Sequence, residues 1–517
     1  MNERLLRPSK IDSDMWVDEA IWGHRLYDEQ TPWLCVMEFL NIVHSEMLAN
    51  RGLIEEDPNR LAYSPESRLY LRHILFNNPH IEVISKQYKN DNNMQWTKWE
   101  EEMVNNMAGV ANPDLSYLRK RFATFEDFVT IVDFLRRSTI EAENNKRWSS
   151  QFVFPYGPDC LYEDLNVKNN SITNDRRFFA RTGELLYLML CRSQSNTEVL
   201  HHLSGKILNR NNKFNNLVTL LQPPANAAHE SSVIRSGAYL PYQTLSDYEA
   251  LAEDWLCIFN CKLANFDFLP HLVNLTGLHM ILYFLRRAME MVGTELNPTF
   301  VIEIMAPKKN AIRELSSDSW NDNNSLSKRA VEYYIRRVNE TQDWKSAVES
   351  EDISEIKSII KTTFAWPKDS KDQDIDDLYD PQDILDRLVD AATSRHLQHV
   401  NKFHSVWGRE IGLSSRRGSR RVRYAPHDSL LKSLVLCVVP ERMEFQEFLQ
   451  QLYEKYGFVI GDRQAGEYIS TGRADQADFD ENAKRLEQRL ASMGLLNRLS
   501  DACAYVENPF ATRGNNG

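Results

Sequence analysis

The sequence has no run of about 18 apolar residues and no apolar stretch near its N-terminus. The first absence argues against an ordinary transmembrane helix, and the second argues against a secretory signal. The longest apolar segment, residues 266–292, is interrupted by a proline, histidines, an asparagine and a pair of arginines, which suits a helix buried between protein neighbours. We therefore expect a cytoplasmic protein with no membrane contact.

Cysteine is also scarce, and its positions form no pattern. The seven cysteines, an odd number, are spread over the whole chain and show no disulfide framework, which fits a reducing compartment. Cys257 and Cys261 lie one helical turn apart and could offer two thiolates to a metal. The apolar residues around them favour buried thiols instead.

Known catalytic signatures are missing as well. The chain holds no glycine-rich phosphate loop, no dinucleotide-binding glycine motif and no nucleophile elbow. His396, His399 and His404 share a predicted helix, but they spread over roughly 140° of its surface, too wide for three ligands of one ion. We predict no catalytic residues, no metal site and no cofactor, so the sequence favours a non-enzymatic function.

One carboxylate keeps an enzymatic alternative open. Glu303 lies on the clearest predicted strand, ahead of Lys308 and Lys309, a pattern faintly like that of a metal-dependent nuclease. The spacing does not match an acid-x-lysine pair, and a charge on an edge strand is the simpler interpretation. A divergent nuclease subunit, with a metal site assembled from distant carboxylates, is the enzymatic alternative.

What the chain does have is length, aromatic residues and acidic charge. Its 517 residues suggest about three folded units. A hydrophobic content of 42% is ordinary for folded domains and sufficient for sizeable cores. The net charge of −12 argues against wholesale coating of nucleic acid, so any contact with nucleic acid must be local.

Apolar residues recur mainly at spacings of three and four, so we predict a mainly α, multi-domain helical protein. A helix is expected after the start signal Ser64-Pro65-Glu66. The other predicted helices include residues 31–48, 125–137, 175–191, 196–209, 246–263 and 325–338. Strand signals are few, and the clearest is residues 299–305.

Breaks in this periodicity divide the chain. Polar, turn-forming stretches at 141–174 and 306–326 and an acidic stretch at 366–381 predict loops or linkers. The predicted domains are an N-terminal helical domain (1–140), a central helical domain with a minor strand element (175–345), a helical connector with the acidic linker (346–412) and a C-terminal module (424–510) preceded by an arginine-rich arm (416–423).

The C-terminal module is predicted to be winged-helix-like. We expect three amphipathic helices, one capped by Asp428, one following Glu444, and one over residues 478–493. Two short apolar runs flank a Ser-Asp turn within residues 495–506 and predict a hairpin, the wing.

Positive charge concentrates just before this module. The arm holds five arginines, which is typical of a segment laid along phosphates, although a solvated linker between domains would carry the same charge. The third helix adds basic residues but also Asp480, Glu481 and Glu487, so it is nearly neutral. The candidate nucleic-acid-binding residues are Arg416, Arg417, Arg420, Arg421, Arg423, Lys484, Arg485, Arg489 and Arg498.

Three C-terminal segments resemble a known group of proteins. They are YAPHDSLLKSLV (424–435), FLQQLYEKYGFVIG (448–461) and MGLLNRLSDACAYVENPF (493–510). They are similar to the C-terminal parts of large subunits of bacterial multi-gene anti-phage defence systems of the methylation-associated kind. The resemblance implies a non-enzymatic partner of a methyltransferase, nuclease or ATPase that helps to distinguish foreign DNA from the host's own.

Two non-enzymatic functions follow. The first is a cytoplasmic scaffold or sensor subunit of a complex, which docks protein partners through its N-terminal domains and contacts double-stranded DNA through the arm and wing. The second is an assembly adaptor whose winged helix binds only protein, and the mixed charge of the third helix favours it.

Overall fold

The computed structural model describes residues 4–5, 16–24, 26–54, 61–137, 156–162, 165–168, 171–174, 180–224, 234–294, 297–304, 311–366, 375–417, 420–500 and 503–511. The chain divides into two units. The main unit comprises residues 1–32, 192–195 and 239–517, and the inserted unit comprises residues 33–191 and 196–238.

Helices make up most of the described chain, as the apolar spacing predicts. The helices are α1 (Trp16–Trp22), α2 (Pro32–Leu48), α3 (Leu69–Phe76), α4 (Ile81–Gln87), α5 (Asn92–Asn106), α6 (Ser116–Arg121), α7 (Phe125–Arg137), α8 (Thr182–Cys191), α9 (Asn196–Lys206), α10 (Lys213–Leu221), α11 (Ser246–Asn260), α12 (Leu269–Met291), α13 (Ala311–Arg336), α14 (Gln342–Glu349), α15 (Ile353–Phe364), α16 (Pro381–His399), α17 (Phe403–Glu410), α18 (Asp428–Val438), α19 (Phe445–Tyr456), α20 (Gly466–Ser470) and α21 (Gln476–Ser492).

The strands are short. They are β1 (Ala62–Tyr63), β2 (Leu165–Lys168), β3 (Ser171–Asn174), β4 (Arg235–Ser236), β5 (Phe300–Val301), β6 (Ser414–Ser415), β7 (Arg423–Tyr424), β8 (Arg442–Glu444), β9 (Phe458–Val459), β10 (Leu496–Ser500) and β11 (Cys503–Glu507). Antiparallel pairs join β1 to β4, β2 to β3 and β6 to β7, whereas β5 and β9 pair in parallel. The last sheet has three antiparallel strands in the order β10-β11-β8.

Aromatic packing forms the core of the inserted unit. Trp96 and Trp99 of α5 face Phe128 of α7, with ring centroids 5.2 and 4.8 Å apart. All three rings are buried, and Phe125, one turn earlier on α7, completes the cluster. Large rings at helical spacing bury much apolar area with few residues, so this core stabilises the unit strongly.

Helix α12 is the centre of the main unit. Seventeen of its 23 residues are buried, which confirms the prediction of a protein-buried helix for this apolar segment. Gly277 lets the side chain of Ile411 pack directly against the backbone of α12, because a Cβ at this position would lie only 2.3 Å from that side chain. A larger residue at Gly277 would push α12 away from the segment that follows α17.

Several predicted helices are confirmed within a few residues. Helices α2, α7 and α11 match the predictions for 31–48, 125–137 and 246–263. The helix predicted after Ser64-Pro65-Glu66 is present as α3, but it begins only at Leu69 and not at the proline. Arg68 has a left-handed backbone, and its guanidinium donates to the Leu161 carbonyl at 2.7 Å, so a tertiary contact delays the helix.

The predicted polar break at 306–326 is wrong from residue 311 onward, where α13 runs without interruption to Arg336. Ser316, Ser317 and Asn323 are buried on this helix and use their side chains to bond neighbouring carbonyls. Polar side chains of this kind provide hydrogen bonds to backbone carbonyls of neighbouring segments. A prediction from hydrophobic periodicity counts them as loop residues because they are polar.

The elements predicted at the C-terminus are present. Helices α18, α19 and α21 lie at the expected places, and β10 and β11 form the predicted hairpin. Strand β8 adds a third strand that the sequence pattern does not indicate. Gly457 ends α19 with a left-handed backbone, and a Cβ there would lie 2.1 Å from the Pro298 carbonyl oxygen. Glycine therefore permits the parallel pairing of β9 with β5.

One buried amide fixes α21 against these two strands. The Asn482 side chain donates to the carbonyls of Ile302 (2.9 Å) and Ile460 (3.0 Å) and accepts from the Ile304 amide (2.9 Å). Asn482 is 0% exposed, so no solvent can replace these bonds. The amide thus continues the hydrogen bonding beyond the ends of β5 and β9.

Replacing Asn482 with leucine should destabilise the main unit by at least about 2 kcal/mol, because three buried backbone groups lose their partners. Urea denaturation followed by tryptophan fluorescence measures the change. Gln488→Leu, at an exposed position of the same helix, is the matched control and should change stability by less than about 0.5 kcal/mol. Equal effects of both variants would contradict this role of Asn482.

Candidate nucleic-acid interface

The arginine-rich segment is the loop of a β-hairpin. Strands β6 and β7 pair antiparallel, with Ser414 opposite Tyr424 and Ser415 opposite Arg423. We call residues 414–424 the arginine hairpin. The two ends of the loop therefore lie side by side, which differs from the flexible arm or the solvated interdomain linker that the sequence suggests.

Four of the five arginines are displayed and one is buried. Arg416, Arg417, Arg420 and Arg421 are exposed, whereas Arg423 is only 1% exposed. The arginines of this one basic segment therefore fall into two groups, one at the surface and one in the interior. The four exposed arginines lie on the surface of the protein, and Arg423 serves its interior.

Arg423 takes part in a buried ion cluster with Glu303. Its Nε bonds one carboxylate oxygen of Glu303, and the Nε of Arg313 lies 2.8 Å from the other. Glu303 is 0% exposed, so its charge is compensated by these two guanidinium groups and not by solvent. We call Glu303, Arg313 and Arg423 the ion cluster.

Hydrogen bonds hold the base of the loop to α13. Arg423 Nη2 donates to the Arg417 carbonyl at 2.8 Å, which spans the loop from one side to the other. Ser317 Oγ donates to the Val422 carbonyl at 2.9 Å, and Ser316 Oγ donates to the Tyr424 carbonyl at 3.0 Å. The base of the hairpin is therefore fixed in place before any ligand arrives.

These contacts change the interpretation of two residues. Arg423, a candidate nucleic-acid-binding residue from the sequence, lies inside the ion cluster and presents no guanidinium surface. The predicted edge-strand charge at Glu303 is wrong, because the carboxylate is buried between two arginines. Both of its oxygens are engaged, so Glu303 lends no support to the nuclease alternative.

The basic residues of α21 and β10 are placed differently from those of the hairpin. Lys484 is exposed, but the three arginines each form an ion pair with a carboxylate. The pairs join Arg485 to Glu481 (3.2 Å), Arg489 to Asp428 (2.7 Å) and Arg498 to Glu487 (3.4 Å). This internal pairing reduces the positive field of the predicted third helix.

One of these pairs connects α21 to the region of the hairpin. Arg489 bonds Asp428, the first residue of α18, and the preceding His427 amide donates to the Gly412 carbonyl at 2.7 Å. Gly412 lies two residues before β6. The structure therefore brings Arg489 toward the base of the arginine hairpin, whereas Arg485 and Arg498 pair within α21 and its following strand.

A Ser-His-Asp arrangement that the sequence did not reveal lies in the main unit. His396 Nδ1 is 2.7 Å from Asp18 Oδ1, and His396 Nε2 is 3.0 Å from Ser327 Oγ. These contacts have the order of a hydrolase triad. Ser327 is only 1% exposed and lines none of the described cavities, so it cannot reach a substrate. The arrangement instead joins α1, α13 and α16.

The other two histidines of the rejected metal site have separate partners. His404 Nε2 lies 2.8 Å from the Tyr424 hydroxyl, and burial lowers the pKa of His404 to about 3, so this ring is neutral at pH 7. His399 stacks on Tyr27, with ring centroids 5.7 Å apart. The three histidines thus support three different packing contacts.

A buried carboxylate ties α11 to α12 and α19. Asp254 lies 2.6 Å from His279 Nε2, accepts from the Tyr456 hydroxyl at 2.7 Å, and pairs with Lys455. Burial alone would raise the pKa of Asp254, but His279 and Lys455 outweigh it and hold this pKa below its usual range. Asp254 therefore stays ionised and anchors α19.

Within the described ranges, no three His, Cys, Asp or Glu residues come close enough together to hold a metal ion. No helix of those ranges combines the length and hydropathy that a membrane crossing requires. All seven cysteines are free thiols. Cys261 is buried as predicted, and Cys257 is partly exposed.

One continuous segment of the chain contains the whole of α13, the arginine hairpin and the C-terminal sheet. Residues 309–507 match the methylation-associated defense system protein MAD7. This match confirms the resemblance of the C-terminal segments to a defence-system protein. No curated protein and no solved structure matches the chain.

The MAD7 match includes every exposed arginine of the hairpin and all the candidate residues of α21 and β10. It also includes Arg313 and Arg423 of the ion cluster, whereas Glu303 lies six residues before its first residue. The buried carboxylate that holds the hairpin is therefore supplied from outside the MAD7-matching region.

Glu303→Gln should destabilise the protein by about 3–5 kcal/mol, because the buried guanidinium of Arg423 loses its counter-charge. Urea denaturation measures the loss. The control is Glu332→Gln, which removes a half-exposed carboxylate from its pair with Arg336 and should cost less than about 1 kcal/mol. If the two variants lost similar stability, the ion cluster would not be the interaction that holds the hairpin.

Proposed function

We propose that this protein is a non-enzymatic subunit of a methylation-associated defence system and that its arginine hairpin binds the phosphate backbone of double-stranded DNA. One observation carries the proposal. Four exposed arginines lie on a single loop whose base is fixed by a buried ion cluster, within the region that matches MAD7.

The electrostatics of the loop support phosphate binding. Guanidinium groups bind phosphate oxygens with charge-assisted, often bidentate hydrogen bonds. The chain carries a net charge of −12, so DNA would be repelled by most of the surface and attracted where positive charge is dense. A loop with a fixed base presents its arginines with little loss of backbone entropy on binding.

The elements that follow the hairpin support a winged-helix module. Their order is helix α18, strand β8, helix α19, the short strand β9, the short helix α20, helix α21, and strands β10 and β11. The first strand pairs with the last, as in a wing that folds back on its helices. We propose that this module acts together with the hairpin, to which Arg489 and Asp428 bring it close.

A second candidate function is an assembly adaptor that binds protein only. The observation that favours it is the internal pairing of the arginines on α21 and β10 with the module's own carboxylates. Leu499, on the wing, is also 61% exposed. A wing with an exposed leucine and nearly neutralised helix charges suits a protein partner, such as another component of the defence system.

Replacing Arg416, Arg417, Arg420 and Arg421 with glutamine should weaken binding to a labelled random-sequence duplex. The slope of log affinity against log salt concentration should fall by up to about 3.6, because each lost phosphate contact releases about 0.9 fewer counterions. Fluorescence anisotropy across a salt series measures both quantities. The ion cluster is intact in this variant, so folding should be unaffected.

A matched control removes the same charge elsewhere in the main unit. Lys328, Arg329, Lys361 and Arg387 are exposed, and changing all four to glutamine should leave the salt slope close to that of the unmodified protein. Equal losses in both variants would indicate only a general charge effect. If neither variant changed binding, or the unmodified protein bound no DNA, the adaptor function would replace the proposal.

Phosphate contacts carry no base information, so the hairpin should not itself detect methylated bases. Methylated and unmethylated duplexes of one sequence should bind within about two-fold of each other in the same anisotropy assay. Discrimination would then reside in a partner, which defines this protein as a scaffold. A preference of ten-fold or more for one duplex would instead make it the sensor.

A further inference from the structure

A large cavity lies in the main unit, at the C-terminal end of α12. Its volume is about 1050 Å³, enough for a nucleotide-sized molecule. Its wall includes residues of α11 and α12, the end of α13 and the short 3-10 helix that follows α13 (Arg337–Glu340). It shares no lining residue with the arginine hairpin or the ion cluster.

The cavity is lined by four arginines and three carboxylates. Arg286 pairs with Asp247 at 2.8 Å, and Arg287 pairs with Glu290. These pairs account for two arginines and two of the carboxylates. The other two arginines, at the wall, are Arg4 and Arg337. Positive charge therefore exceeds negative charge in the lining, in a protein whose net charge is negative.

Two guanidinium groups of this lining have unused donors. The Nε atoms of Arg286 and Arg287 are buried, and neither has a hydrogen-bond partner. Only 9% of the surface of Arg287 is exposed. Both residues line the cavity, and guanidinium groups bind anions with charge-assisted hydrogen bonds.

The lining also offers groups for the rest of a nucleotide. Tyr333 is 50% exposed and can stack on a base. The Arg287 guanidinium lies over the ring of Tyr242, 5.0 Å from the ring centre. The Tyr242 hydroxyl donates a hydrogen bond to Glu290 at 2.8 Å. Asp247 accepts from Arg286 through Oδ1, and a carboxylate has two oxygens that can accept the hydroxyl groups of a ribose.

We infer that this cavity binds a nucleoside phosphate, with the phosphates among the arginines, the base on Tyr333 and the ribose toward the carboxylates. The inference is independent of DNA binding by the hairpin. The cavity would be a small-molecule site separate from the proposed DNA-binding surface. Its ligand is identified by the phosphate charge, the aromatic base and the ribose hydroxyl groups that the lining can recognise.

Isothermal titration calorimetry of the full chain with ATP, in EDTA so that only protein charges act, tests the inference. Arg337→Gln and Tyr333→Ala alter exposed side chains and should leave the thermal midpoint of the free protein unchanged. Each should weaken ATP binding by about ten-fold. Adenosine and tripolyphosphate, titrated separately, should each bind more weakly than ATP, because each fills only part of the cavity.

Matched controls come from an arginine and a tyrosine of the same unit that do not line the cavity. Arg336 pairs with Glu332 and Asp386, and Tyr379 is 74% exposed elsewhere in the same unit. Arg336→Gln and Tyr379→Ala should bind ATP like the unmodified protein. Failure of ATP to bind at millimolar concentration, or equal losses in cavity and control variants, would overturn the inference. Tripolyphosphate binding as tight as that of ATP would overturn the nucleoside part.

Discussion

The buried carboxylate of Glu303 is the contact on which the architecture around the hairpin depends. It draws together the extended segment after β5, the start of α13 and the second strand of the hairpin. A carboxylate in the interior is tolerated only with strong counter-charges, and here two arginines supply them. The same interaction compensates the buried charge of Glu303 and fixes the position of the hairpin that carries the exposed arginines.

The sequence predicts the helices with apolar faces well and the polar ones poorly. Helix α7 and the C-terminal hairpin are found as expected because their apolar residues follow a clean period. The first turns of α13 are missed because Ser316 and Asn323 point inward and satisfy neighbouring backbone groups. Periodicity arguments count such residues as loop formers, although in this setting they are interior residues.

The candidate site shows a similar limit. The charge run of the arm marks the right segment, but nothing in it distinguishes Arg423 from the four arginines that are exposed. That distinction depends on Glu303, which is 120 residues away along the chain. The triad of Ser327, His396 and Asp18 is equally invisible, because its members are joined only by the packing of three helices.

The parallel pairing of β5 with β9 has a consequence for cooperativity. Phe300 and Phe458 face each other in that pair although more than 150 residues separate them, and Asn482 extends the bonding beyond it. Opening the C-terminal module would expose these backbone groups together with the strand edge from residues 300–304. The backbone amides of residues 300–304 and those of the C-terminal module should therefore exchange with solvent in one sub-global opening. The two segments would then form a single cooperative unit.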